Sequence, residues 1–158
     1  MSQLRDEVKK KQPFASLEQE AALNLARTND RVTIRFERLF REYGLTPSQY
    51  NILRILRGEA RPMPILEIAE RTITVVPGIT GLIDRLERAE FVGRRRCTED
   101  RRVVFVEITA TGLDVIGRLD RPVLDLHKKL MGHLSPKELK ELIGLLEKVR
   151  APMTEDES

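Results

Sequence analysis

A mainly α-helical fold with one small β-hairpin is what this chain predicts, on three observations. Residues 17–43 contain no proline or glycine, and Leu25, Val32, Phe36, Leu39, Phe40 and Tyr43 recur at spacings of three, four and seven. That is the stripe of an amphipathic helix. Ile79, Leu82, Ile83 and Leu86 fall at i, i+3, i+4 and i+7, a second inward stripe. Residues 92–97 and 103–108 are strand-like, with Val104, Val106 and Ile108 alternating against Phe105 and Glu107 around a polar tip at 98–102.

The elements follow in order. Residues 1–16 read as a flexible arm. A helix over 17–43 would be roughly 40 Å long by rise per residue. That is longer than one small globule buries, so part of its apolar face is expected to meet a second subunit. Gly44 ends it. Thr46 then suits an N-cap, Pro47 the first helical turn and Gln49 the closing position of a capping box, with Leu45 and Tyr50 as a hydrophobic staple. Leu53 and Leu56 continue the buried face of that helix. Residues 58–64 carry two prolines and read as a loop. A short helix follows, with Ile65, Ile68 and Ala69 inward. After a turn over 72–76, the Ile79 stripe leaves Gly78, Thr80, Gly81, Asp84, Arg85 and Arg88 outward. Asp84 and Arg88, at i and i+4, can pair with each other.

Beyond the hairpin, Thr109 can cap a helix over 110–131 that Pro122 should kink. Ser135, Pro136 and Glu138 repeat the earlier start device, with Leu134 and Leu139 as staple. Leu139, Leu142, Ile143, Leu146 and Val149 form the last stripe. Residues 151–158 are acidic and read as a disordered tail. No internal repeat is visible.

Composition narrows the function. At 158 residues the chain is one domain, or one domain with a dimerisation extension. Hydrophobic residues at 41% suffice for a core, and charged residues at 34% fit long solvated helices. Aromatics are 4% with no Trp, which argues against a sugar-binding or base-stacking surface. The one cysteine, Cys97, cannot form an internal disulfide and reads as a strand residue. His127 and His133 lack companions for a metal site. No nucleophile–base pair, glycine-rich phosphate loop or paired-carboxylate signature is present. Neither catalytic residues nor a cofactor are expected. No run approaches the ~20 apolar residues of a membrane-spanning helix, and the basic N-terminus has no apolar run behind it. The expected setting is cytoplasmic.

The hairpin carries the strongest functional signal. Within residues 92–103, Arg94, Arg95, Arg96, Arg101 and Arg102 stand against Glu99 and Asp100, a local net charge of +3 that equals the whole chain's. An amphipathic helix followed by a cationic hairpin is the arrangement of a winged helix-turn-helix, in which the helix enters the major groove and the wing reaches phosphates or the minor groove. Double-stranded DNA is the partner this predicts. Thr80, Arg85 and Arg88 would face it from the helix, and Arg94, Arg96, Arg101 and Arg102 from the wing. Arg94 and Arg96 face opposite to Arg95, so the three cannot all point at DNA. Glycine at 78 and 81 supplies no readout, which shifts specificity toward the wing and DNA shape.

In this order of elements the chain resembles the MarR family of transcription regulators. The matching segments are LTPSQYNILRIL at 45–56, LEIAERT at 66–72, PGITGLIDRLE at 77–87, TEDRRVVFVEIT at 98–109 and LSPKEL at 134–139. The resemblance covers residues 17–150. It implies a homodimer whose helices over 17–43 and 110–150 form a dimerisation layer, with a winged helix lobe over 46–109. It matches Arg101 and Arg102 to the family's wing arginines and Asp100 to the acidic position before them, read as orienting an arginine. It also implies control by a small aromatic effector, for which Phe36, Phe40 and Tyr50 are the candidate pocket. The expected function is a sequence-specific, ligand- or stress-responsive repressor acting as a homodimer on a pseudo-palindromic operator. The alternative is a winged-helix protein-interaction or assembly module without specific DNA binding.

Overall fold

Helices α2 (Leu17–Glu42) and α3 (Pro47–Glu59) begin where nearby side chains satisfy their first N–H groups. Ser16 Oγ accepts from the Gln19 N–H at 3.2 Å. At α3 the capping box is complete: Gln49 N–H donates to Thr46 Oγ1 at 3.2 Å, and Thr46 N–H donates to Gln49 Oε1 at 3.0 Å. Such a cap supplies about 1 kcal/mol by satisfying donors that helical geometry orphans. Between the two helices Gly44 takes φ +74°, the left-handed conformation that closes α2.

The computed structural model describes residues 3–155. These divide into two compact units, one up to Gly117 and the other from Arg118. The first unit adds α1 (Gln3–Glu7), β1 (Met63–Pro64), α4 (Ile65–Glu70), α5 (Ile79–Arg88), β2 (Val92–Arg96), β3 (Val104–Ile108) and the start of α6 (Ala110–Met131). Its centre is a dry cluster in which Ile52, Leu53, Leu56, Met63, Ile68 and Ile83 have no exposed surface. The three strands form one antiparallel sheet in the order β1-β3-β2, with Met63 opposite Val106 and Arg94 opposite Val106 on the other side.

Three expectations need correcting here. The N-terminal segment, read as a flexible arm, contains α1, which buries Leu4, and Arg27 of α2 meets Glu7 at 3.6 Å. The segment read as a loop before α4 contains β1. Two residues are too few to show a pattern, and Pro64 cannot donate, which confines it to the sheet edge where it lies. Residues 151–155 of the acidic tail form a 3-10 turn (Ala151–Glu155), and the rest of that tail lies outside the described residues.

The turn from α5 to β2 and the start of α6 lock together through backbone. Phe91 N–H donates to Leu86 O at 2.9 Å, closing α5, and Glu90 there adopts φ +61°. Thr109 N–H donates to Phe91 O at 3.0 Å, and Thr109 Oγ1 donates to Glu90 O at 2.6 Å. The same hydroxyl accepts from Gly112 N–H at 3.1 Å, the expected cap of α6. A Cβ at Gly112 would stand 2.2 Å from Phe91 O, so glycine is what lets helix and turn approach.

In the second unit, Pro122 lies inside α6 without ending it, and α7 (Pro136–Arg150) opens with the second capping box. Ser135 N–H donates to Glu138 Oε2 at 2.8 Å, and Glu138 N–H to Ser135 Oγ at 3.3 Å. No residue of α7 is buried. Leu142, Ile143, Leu145 and Val149 are all exposed.

Candidate nucleic-acid interface

Helix α4, the turn after it and α5 form the helix-turn-helix, and β2 and β3 form the wing. A closed ring of charge fixes the first part. Arg61 and Arg71 each reach both Glu59, at the end of α3, and Glu67 of α4, with Arg71 Nη2 at 2.8 Å from Glu67 Oε1 and Arg61 Nη2 at 3.4 Å from Glu59 Oε2. The Arg61 hydrogen bond, against a smaller desolvation, holds the Glu67 carboxyl below its usual range.

Helix α5 buries Ile83 and Leu86 and leaves Thr80, Arg85 and Arg88 exposed, as its periodicity predicts. Gly78 is exposed, as expected, but stands ahead of the helix and not within it. It is the N-cap, at φ +70°, with no side chain to cap the helix. Gly81 lies on the helix with open space around its Cα.

The register of β2 separates the three consecutive arginines. Arg94 shares the face of Val92, which is buried, and turns toward α5. There its guanidinium binds Asp84 and lies 3.4 Å from Glu87, while its backbone N–H, on the open edge of the sheet, donates to Glu87 Oε2 at 3.1 Å. Partial burial opposes the charge of Arg94, and the bonds from Asp84 and Glu87 outweigh it, so its pKa is raised. Arg94, expected to face DNA, thus meets two carboxylates of α5, and Asp84 pairs with Arg94 where helical spacing alone offered Arg88. Arg95 projects from the other face, its guanidinium carbon 6.0 Å from the centre of the Phe105 ring. Arg96 is exposed at the end of β2. An open cleft of about 420 Å³ lies among Glu87, Arg94, Arg95, Arg96 and Val104.

At the wing tip Asp100 organises Arg102. Arg102 donates from its backbone N–H to Asp100 Oδ1 at 3.0 Å, from Nε to Oδ1 at 3.1 Å and from Nη2 to Oδ2 at 3.3 Å. The side-chain bond, then the backbone bond, hold the Asp100 carboxyl below its usual range. The Arg102 side chain it holds remains 91% exposed, so the pair orients a cation without covering it. Arg101 is exposed beside it.

The aromatic candidates come together at the α2–α3 contact. Phe40 is buried and stacks on Tyr50 with ring centres 4.3 Å apart and planes 18° apart, and Phe36 lies 5.8 Å from Phe40. The acceptors of Arg94 come from another element, and no local pattern in the sequence reveals them. Ile73 and Val75, also unmarked by any pattern, lie exposed in the turn before α5.

Comparison with known proteins agrees with this geometry. The model of the MarR family matches residues 45–104. Among solved structures, the chain is similar to a MarR transcription factor from Planctomyces limnophilus, with 45% identity and a TM-score of 0.67 over 85% of this chain and 98% of that one. It is also similar to a mutant MarR from Escherichia coli complexed with operator DNA, with 28% identity and a TM-score of 0.69 over 85% of this chain and 99% of that one. Among curated relatives it is similar to the uncharacterized HTH-type transcriptional regulator YkoM of Bacillus subtilis, 31% identical over 140 residues, which cover 85% of this chain and 90% of that protein.

Proposed function

The chain belongs to the MarR family, a DNA-binding class of transcription regulators, and from that we propose that it acts as a homodimeric repressor on a pseudo-palindromic operator. The observation that carries the reading is the coupling of α5 to the wing. Arg94 holds the two elements in one geometry, while Arg85, Arg88, Arg96, Arg101 and Arg102 remain on the outside. Preset spacing between a major-groove helix and a cationic tip is what groove recognition requires.

The exposed apolar residues of α7, with Leu145 at 62% and Ile143 at 54%, support a second copy as the partner of that face. In such a dimer each lobe takes one half-site, with centres about 10 base pairs apart or a small multiple of a turn. A planar aromatic effector would stack beside Phe36 and Tyr50. It would release DNA only by binding the released state more tightly than the DNA-bound state.

The test is selection of bound duplexes from a random pool, followed by affinity measurement for wild type and Arg85→Ala. An enriched inverted repeat and a dimer mass by sedimentation are expected. A monomer that enriches no sequence refutes the reading. Loss of discrimination between operator and altered operator in Arg85→Ala, about 1–3 kcal/mol for a bidentate contact, assigns Arg85 to a base. Uniform weakening assigns it to phosphate.

A further inference from the structure

The turn between α4 and α5 presents apolar side chains to solvent at the place where base reading begins. Val75 is 87% exposed and Ile73 82%, the two highest values among the large hydrophobic residues described. Single exposed aliphatics are ordinary on a protein surface. These two are set apart by position, because the chain passes from them directly into α5, whose first residues face the bases. At that end α5 offers little else. Gly78 and Gly81 have no side chains, Ile79 is half-buried, and Thr80 brings one hydroxyl. Polar readout at the helix start is therefore sparse where apolar surface is plentiful. Cationic groups follow further along the same helix, where Arg85 and Arg88 are exposed. A polyanion with apolar features on its groove floor fits this combination better than an apolar protein surface does.

The major groove has one apolar base feature, the C5 methyl of thymine. We propose that Ile73 and Val75 read thymine methyls in the operator half-site, supplying sequence discrimination that the first residues of α5 lack. The inference rests on the DNA-binding reading above and adds to it a specificity element outside the recognition helix.

Deoxyuridine isolates the contact, because it removes the methyl and keeps the base pair. The full-length protein is titrated with the duplex enriched from a random pool, made with thymidine or with deoxyuridine at each thymine position in turn. Burying one methyl group corresponds to roughly a fourfold change in affinity. Removing the methyl that the turn reads should weaken wild type by that factor in one half-site, and by about 15-fold when both half-sites are changed. Val75→Ala or Ile73→Ala should bind the thymidine and deoxyuridine duplexes nearly alike, with helix content and salt dependence as in wild type. If wild type is indifferent to deoxyuridine at every position, or both variants keep the full thymidine preference, the inference is overturned and the turn is left as a protein contact. A pool that enriches no duplex overturns the DNA-binding reading and this inference with it. An enriched duplex read without its methyls overturns the inference alone.

Discussion

Separate replacement of Arg101, Arg102 and Asp100 distinguishes a cation that holds phosphate freely from one that is aimed. Each phosphate contact on duplex DNA adds about 0.9 to the slope of log affinity against log salt, so one arginine per subunit is worth about 1.8 in a dimer. Salt raised from about 50 to about 200 mM spans about 0.6 log units, and a slope difference of about 1.8 over that span changes relative affinity about 12-fold. Arg101→Ala should show that change on specific and non-specific duplex alike. Arg102 differs, because two side-chain hydrogen bonds to Asp100 fix its direction. Asp100→Asn keeps an oxygen for the Arg102 backbone N–H, so the turn survives, but it releases the guanidinium. It also removes one negative charge from each wing. Non-specific binding should therefore strengthen while the ratio of specific to non-specific affinity falls. Fluorescence anisotropy with labelled duplexes at several salt concentrations reads both quantities. An unchanged ratio in Asp100→Asn, or a slope that neither arginine alters, would refute this role for the wing tip.

Four further outcomes follow from the geometry. Arg94→Met and Asp84→Asn, alone and combined, should show a coupling of about 0.5–1 kcal/mol in urea melts, at the level of a partly exposed pair. Their loss of DNA affinity should exceed what the stability change explains, and equal losses would remove Arg94 as a positioning residue. Gly112→Ala drives a Cβ into Phe91 O and should lower stability by about 1–3 kcal/mol. Glu90→Gly relieves a left-handed residue and should raise stability by up to about 1 kcal/mol, both read as melting midpoints. Glu67 is held below its ordinary value of 4.5. Its contribution is therefore present above that pH and is lost as pH falls through the lower folded value. Glu67→Gln should be less stable than wild type at neutral pH and converge with it in acid. A constant difference across the range would exclude the charge as the cause.

Helix starts were legible because their causes are local. Thr46 with Gln49 and Ser135 with Glu138 each satisfy donors within three residues, so the pattern and the bond are the same fact. Strand β1 was not, since Met63 and Pro64 become a strand only through Val106 and Phe105, some forty residues away. Leu4 is similar. One apolar residue in a polar segment carries no period, and its burial depends on a surface made elsewhere. Glycine at 112 gave no sign of its role, because the clash it avoids is with Phe91 O from another turn.

The charge of the wing shows where counting along the chain stops being enough. Alternation along β2 separates Arg95 from Arg94 and Arg96, and the structure keeps that separation. Alternation does not say which face meets carboxylates. Helical spacing alone pairs Asp84 with Arg88, yet Arg94 takes Asp84 because the tight turn at Ala89–Phe91 lays β2 beside α5. There one arginine reaches two carboxylates, and Glu87 also satisfies an edge-strand N–H that would otherwise need water. An exposed i, i+4 pair offers a single screened contact and loses that competition. The five arginines of the hairpin thus differ in what they meet within the chain. Arg94 is neutralised from the helix, Arg95 lies against Phe105, and Arg102 is held by Asp100, which leaves Arg96 and Arg101 as its unengaged charges among the described residues. The wing's attraction for phosphate is correspondingly weaker than its composition suggests, and its geometry is better defined. For the effector-released repressor proposed above that balance would be useful, because affinity resting on held geometry is lost when the geometry moves.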